Sequence, residues 1–234
     1  QFLKAGAVLG GGLVIGFVIP GARRLAAQPA AAAAVAPFVP NAFLRIGADD
    51  SVTVLLSHSE MGQGVWTTLP MLIAEELDAD WSTIKAEHAP AAPAYFSPVF
   101  GMQGTGGSTS TGSEFERYRQ AGAIARAMLV QAAATRFNVP VADIRTENGE
   151  VIVGTQRVRY GALADAAGKL QAPDPATLTL KDPKDWKIIG KPTKRLDSPE
   201  KITGRAQFGM DVQFEGLLTA VVARPPGFGG KVKS

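Results

Sequence analysis

A glutamine between two glycines, Gly62-Gln63-Gly64, lies where an alternating apolar segment gives way to an amphipathic one, and this junction restricts the fold of the 234-residue chain more than any other feature. Glycine adopts backbone conformations closed to other residues and leaves its amide bare, so two of them at a strand-to-helix junction imply a sharp bend open to a ligand. Upstream, AFLRIGADDSVTVLLSHSE reads as two strands joined at Ala48-Asp49-Asp50. Downstream, Trp66, Leu69, Ile73 and Leu77 recur at three- and four-residue steps, with Glu75, Glu76 and Asp78 towards the other side. That is a helix buried along one face. Pro70 lacks an amide hydrogen and suits the first turn, which predicts a helix start near Thr67. Gly62 and Gly64 then sit just ahead of a helix N-terminus, whose dipole favours an anion.

The arrangement recurs in GMQGTGGSTSTGSEFERYRQAGAIARAMLVQAAATRF, where a glycine and hydroxyl loop precedes a long helix. Ser113 with Glu116 has the spacing of a capping box and predicts the helix start there. Phe115, Tyr118, Gly122, Ala125, Leu129 and Ala132 trace the apolar stripe, with Glu114, Arg117 and Arg126 off it. Gly107, Ser108, Thr109 and Ser110 offer amides and hydroxyls without charge, which suits a large polar cofactor. Neither loop has the phosphate-binding spacing G-x-x-x-x-G-K-[ST] or the dinucleotide spacing G-x-G-x-x-G, so the usual nucleotide sites are disfavoured.

With 26 glycines and 16 prolines the composition fits a turn-rich α+β (mixed α/β) chain rather than a helical bundle. Lys4, Arg23 and Arg24 are the only charged residues among the first forty, so the net charge of +3 comes from that segment and the remainder is balanced. No nucleic-acid footprint results. There is no cysteine, hence no disulfide, iron–sulfur ligation or CxxCH haem attachment within the chain. The two histidines, His58 and His88, lack metal-ligand spacing and read as structural or surface groups.

Residues 1–40 open with an uncharged run, Ala5 to Ala22, that holds six glycines and a proline and is followed by an alanine-rich tract. This pattern reads as an export signal and linker, with a membrane-edge or core helix as the alternative, and it would also suit a retained anchor helix in or on a membrane. QFLK resembles the tail of a twin-arginine signal, although the two arginines themselves are absent from the chain.

The run SEMGQGVWTTLPMLIAEELDADWSTI, followed by TGGSTST, RQAGAIARAML and TENGEVI, resembles the molybdopterin-binding large subunit of the xanthine oxidase family. The likeness is strongest to its exported isoquinoline 1-oxidoreductase and membrane-linked aldehyde dehydrogenase types. It implies that residues 41–185 form a molybdopterin-binding domain segment. Gly62, Gln63 and Gly64, with Gly107, Ser108, Thr109 and Ser110, would hold the pterin and its phosphates. DSPEKITGRAQFGMDVQFEGLLTAVVARPP, within residues 186–234, is similar to the opening of the family's hammerhead domain, where the chain enters paired strands. Between the two lie a hairpin turning at Asn148-Gly149, a short alanine-rich helix and a linker over roughly 171–187. GFGGK at residues 227–231 reads as a structural turn.

The resemblance further implies oxidation of an aldehyde or N-heterocycle with water as oxygen donor, at molybdenum held by a molybdopterin in its cytosine dinucleotide form. The catalytic glutamate would lie on the remainder of the large subunit, with Glu60 belonging to the loop motif. Electrons would leave through a small [2Fe-2S] subunit and a c-type cytochrome carrying haem c. The location implied is periplasmic, attached to the inner membrane. The aromatic loop holding Tyr95, Phe96, Phe100 and Met102 would either line a substrate funnel or pack under the core. The competing readings are a non-catalytic exported anion-binding protein and a structural subunit of a redox complex.

Overall fold

The structure, a computed structural model, describes residues 42–231 and the backbone of Gly6–Ala7 and Gly12–Gly16. Strands β1 (Gly6–Ala7), β2 (Gly12–Gly16), β3 (Ala42–Gly47), β4 (Val52–Leu56) and β5 (Ile84–His88) form one sheet in sequence order. All neighbours are antiparallel except β4 and β5, which run parallel with Val52 opposite Ile84. A parallel pair needs a crossover. Helix α1 (Val65–Leu77) supplies it. Strand β4 lies inside the sheet and every one of its side chains is buried, whereas β5 shows Lys85, Glu87 and His88 to solvent, as an edge strand does.

Part of the early apolar run is thus strand where composition allowed an anchor helix: Gly12 to Ile15 pair with Gly47 to Leu44. The rest of that run lies outside the described residues. Among the described residues no helix is long and apolar enough to cross a membrane.

Helix α1 packs against the 28-residue α2 (Ser110–Phe137). They approach closely at Gly122, where a Cβ would lie 2.5 Å from the carbonyl oxygen of Ile73. Aromatic rings fill the space between α2 and the sheet: Phe43 meets Tyr95 at 5.3 Å and Tyr118 at 5.2 Å, both edge-on. After α2 comes a second, antiparallel sheet, β6 (Ile144–Glu147), β7 (Glu150–Val153) and β8 (Gln156–Arg159). Asn148 and Gly149 turn β6 into β7 with φ of 49° and 78°, the two positive values a type I′ turn requires. The alanine-rich helix α3 (Gly161–Gly168) follows.

Two helix starts differ from the sequence reading. Helix α1 begins at Val65, two residues before Thr67, because a carboxylate described below caps it; Pro70 is its sixth residue. Helix α2 begins at Ser110 and not at Ser113: the Ser113 amide already donates to Thr109 at 2.8 Å, and its buried hydroxyl has no partner, so there is no capping box. The first compact unit runs to Asp197.

That extent has a chemical cause. Glu75 and Glu76, assigned by periodicity to a polar face, are buried to 1% and 0% exposure. Segment 178–189, which overlaps the expected linker up to residue 187, covers them as a strap. The Glu75 carboxylate accepts from the amides of Lys187, Ile188 and Ile189 at 2.7–3.1 Å. Glu76 accepts from Arg119 at 2.8 Å and from the Lys181 amide at 3.1 Å. The Lys181 ammonium bonds Asp78 at 2.6 Å and the Glu75 carbonyl. Buried charge is tolerable only when so fully partnered.

The second unit begins at Ser198. It holds the short helix α4 (Ser198–Ile202) and a 3₁₀ turn at Gly209–Asp211. Among its described residues there is no strand. Its apolar side chains, including Ile202, Met210 and Leu218, are exposed, with no layer of their own unit to bury them. In GFGGK, Gly229 occupies a turn at φ 78°.

Candidate functional site

Strand β4 ends in a loop, residues 57–64, and α2 is entered from a second loop, residues 97–109. A direct bond joins them: the Ser59 amide donates to the Thr105 hydroxyl at 2.9 Å. Behind it lies a buried ionic group. His58 Nε2 is 3.2 Å from Glu114 Oε1, and Arg117 Nε is 2.7 Å from Glu114 Oε2. His58 and Glu114 are 2% and 0% exposed. The other ring nitrogen of His58 is 3.4 Å from the Thr105 hydroxyl. Glu114, expected on the polar face of α2, instead anchors both loops from inside. His58 is buried, and His88 is exposed beside Trp66 with ring centroids 4.7 Å apart. Among the described residues no three His, Asp or Glu side chains form a metal-ligating cluster.

The two loops present different chemistry. Gly62 and Gly64 take φ of 101° and 94°, as their sequence context suggested. Their amides, however, are engaged by Glu60: Oε1 accepts from Gly62 at 2.8 Å and Gly64 at 3.0 Å, and Oε2 from Trp66 at 2.8 Å. The positive end of α1 therefore already holds an anion from its own chain. Gln63 folds over the same loop, accepting from the Met61 amide at 2.5 Å and donating to the Ser59 carbonyl at 2.8 Å.

The entrance to α2 is the converse. Gly107 and Ser108 adopt consecutive positive φ of 59° and 57°, an uncommon backbone for serine that recurs at functional loops. Thr109 donates its hydroxyl to Gly106 at 2.9 Å, and no side chain caps the helix. The first turn contains no acidic residue. The four leading amides of a helix have no intrahelical acceptor. At α2 the Thr109 amide donates to the Gly106 carbonyl at 3.3 Å, which leaves the amides of Ser110, Thr111 and Gly112 at the head of a long helix that opens on a glycine loop. A Cβ added at Gly62, Gly64, Gly104 or Gly106 would meet nothing within 4 Å, so the backbone faces of both loops are open. An anionic, polar cofactor fits this donor set: uncapped amides at α2, neutral hydroxyls beside them, and space where side chains would otherwise stand.

A cavity of about 260 Å³ lies between the loops, lined by His58, Ser59, Glu60, His88, Gln103 and Thr105 among others. A cavity of about 710 Å³ lies elsewhere, near Asp78, Arg126, Arg145 and Leu178, and neither cavity is lined by Gly62, Gln63, Gly64, Gly107, Ser108, Thr109 or Ser110. Of the aromatic loop, Tyr95 is core, while Phe100 and Met102 are exposed at 45% and 59%.

Sequence reasoning missed Glu60 as a cap and missed Arg195. Arg195 reaches back to the first loop, 3.3 Å from Glu60 Oε1 and 3.3 Å from the Gly62 carbonyl. Glu60 is six residues ahead of Trp66, outside the usual cap spacing, and Arg195 is 135 residues from Glu60, so no local pattern marks either.

The family profile described as molybdopterin cofactor-binding domain matches residues 9–206. The chain is 35% identical over 227 residues to the beta chain of isoquinoline 1-oxidoreductase from Brevundimonas diminuta, covering 82% of this chain and 29% of that protein. It is 30% identical over 232 residues to a membrane-bound aldehyde dehydrogenase of Gluconacetobacter polyoxogenes, named for pyrroloquinoline quinone, covering 97% of this chain and 29% of that one. Identity to one of the subunits of nicotinate dehydrogenase from Pseudomonas putida is 29% over 186 residues, 79% of this chain and 15% of that one. The chain spans less than a third of the length of these relatives. Among solved structures, quinoline 2-oxidoreductase from Pseudomonas putida 86 aligns with a TM-score of 0.41 at 25% identity, over 53% of this chain and 15% of that one. Carbon monoxide dehydrogenase from Oligotropha carboxidovorans aligns with 0.43 at 26% identity, with the same coverage.

Proposed function

Because the chain belongs to the molybdopterin cofactor-binding domain family, we propose that it is the cofactor-holding part of a molybdenum-dependent oxidoreductase that hydroxylates an aldehyde or an N-heterocycle with oxygen from water. The observation that carries this reading is the uncapped N-terminus of α2, opening on glycines and tied to the Gly62-Gln63-Gly64 loop through Ser59 and Thr105. Relatives named for isoquinoline, nicotinate and aldehyde oxidation support the substrate classes.

The leading amides of α2, with Gly107, Ser108, Thr109 and Ser110, take the phosphate end of the pterin. A phosphate there gains both the free N–H groups and the helix dipole. Gly62 and Gly64 keep the facing wall free of side chains, and Gln63 offers a carboxamide that can both donate and accept. The bound molybdenum cofactor supplies a centre that takes two electrons from the substrate: R–H + H₂O → R–OH + 2e⁻ + 2H⁺. A metal carried by the pterin needs no ligating cluster from the protein.

Glu60 is not the base in this reading, since both its oxygens are committed to amides of the loop and one also faces Arg195. The base comes from the rest of the enzyme. Electrons leave to iron–sulfur and haem groups on other chains or domains, the present chain having no cysteine. The pterin is proposed in its cytosine dinucleotide form, which mass analysis of the extracted cofactor tests.

The reaction class is tested by supplying the holoenzyme with an aldehyde, nicotinate or isoquinoline in ¹⁸O-water with an artificial electron acceptor. Incorporation of solvent ¹⁸O into a hydroxylated product supports the assignment; product oxygen drawn from O₂, or oxidation sustained by a quinone without molybdenum, contradicts it.

A further inference from the structure

We propose that Arg195 is a positioning residue that fixes the Gly62-Gln63-Gly64 loop in its cofactor-ready shape, acting through Glu60. The inference rests on the cofactor reading above.

A loop with two glycines at positive φ has little intrinsic preference for one shape, so something must select it. Glu60 does so locally by gathering three amides, those of Gly62, Gly64 and Trp66, around one carboxylate. That leaves a negative charge, 10% exposed, beside the surface where an anionic cofactor would bind. Arg195 answers it from the far end of the unit. One arm of the guanidinium approaches Glu60 and another donates to the Gly62 carbonyl, both at 3.3 Å. The fork is itself oriented, with Nε and Nη2 each donating to Asp197 at 3.0 Å. The neighbouring backbone is pinned where the Leu196 amide donates to the buried Thr67 hydroxyl at 3.0 Å.

The Arg195 side chain is 39% exposed, so its charge attraction alone contributes little. Its effect comes from geometry. A planar fork can hold a carboxylate, a carbonyl and a second carboxylate at fixed angles, which a lysine ammonium cannot reproduce. The same contacts give Glu60 a charge partner, which lowers its repulsion of a cofactor phosphate. Gln63 is thereby held with its carboxamide over the loop instead of sampling solvent.

Hydrogen–deuterium exchange on the holoenzyme, read on peptides spanning residues 60–67 and 70–77, tests the contact without relying on turnover. Arg195→Met is expected to speed exchange in the first peptide about tenfold, the loss of one charge-assisted hydrogen bond, and to leave the second unchanged. Molybdenum content should fall several-fold, with Arg195→Lys in between. If Arg195→Met does not fold, Asp197→Asn, which frees the fork but keeps the charge, reads the same contact and should shift both measures in the same direction. Unchanged loop exchange, or faster exchange with full metal content, overturns the proposal. Gly106→Val separates the two levels: if it abolishes metal binding while Arg195→Met does not, the positioning role fails and the cofactor site stands. If Gly106→Val keeps its metal, the site assignment itself fails.

Discussion

The Ser59 amide and the Thr105 hydroxyl meet at 2.9 Å, and through that bond two loops 46 residues apart become one surface. Thr105 also lies 3.4 Å from His58, so the contact passes on into the buried Glu114 pair. Thr105→Val keeps the shape and removes the acceptor. It is expected to destabilise the protein by about 1 kcal/mol, the net value of one hydrogen bond, and to weaken cofactor retention out of proportion to that loss. Thermal unfolding and metal content on the same preparation check both. Thr105→Ser should restore them.

The contact between α1 and α2 makes a prediction opposite to helix propensity. Alanine in place of glycine inside a helix is ordinarily favourable by about 1 kcal/mol. At Gly122 a Cβ would lie 2.5 Å from a backbone oxygen that cannot move alone, so Gly122→Ala should instead cost about 1–3 kcal/mol through overpacking. At Gly112, in the same helix, nothing lies within 4 Å, and Gly112→Ala should be neutral or stabilising. Urea midpoints of the two variants should move in opposite directions or at least diverge.

The strap across Glu75 should be lost as a unit. Glu75→Ala leaves the amides of Lys187, Ile188 and Ile189 without their acceptor and the Lys181 ammonium with one partner fewer. Removing one member of a buried ionic group typically costs about 3–5 kcal/mol. Limited proteolysis should then cut within residues 181–197 under conditions that leave the native chain intact.

Burial raises the phenol pKa of Tyr95, Tyr118 and Tyr160 above the usual tyrosine range; at Tyr160 the Asp78 charge adds to the effect. These are all the tyrosines of the chain. Tyr118 donates to the Leu55 carbonyl at 2.8 Å and Tyr160 to the Leu77 carbonyl at 2.6 Å. A folded pKa raised above the unfolded value gives stability that is whole below about pH 10 and is lost as pH rises past it. Absorbance at the phenolate band should therefore stay flat in the native protein around pH 10 to 11 and then rise for all three rings together, coincident with loss of helical circular dichroism. A separate, reversible ionisation of any of the three in the folded state would contradict the packing described.

Much of the fold was legible because it rests on local signals. Asn148-Gly149 dictates its own turn, the alternation around Ala48-Asp49-Asp50 dictates the β3–β4 pair, and the stripe through Tyr118, Ala125 and Leu129 is buried as spaced. What local periodicity missed is whatever a third layer covers. Glu75, Glu76 and Glu114 look like a polar face until the strap, Arg119, His58 and Arg117 are brought to them from distant sequence. The site divides in the same way. Positive φ at Gly62, Gly64 and Gly107 follows from glycine in context, but Glu60 filling the α1 amides depends on a bend that only the folded loop shows.

The central claim is that the open glycine face before α2 holds a molybdenum-bearing pterin, and metal content tests it most directly. Gly106 has ordinary φ and open space beyond its Cα, so Gly106→Val fills the cradle without straining the backbone. Molybdenum and extractable pterin should be stoichiometric in the purified holoenzyme and nearly absent from Gly106→Val, with the two proteins unfolding at similar denaturant concentrations. Full molybdenum in the variant, or none in the fully matured parent, would contradict the account.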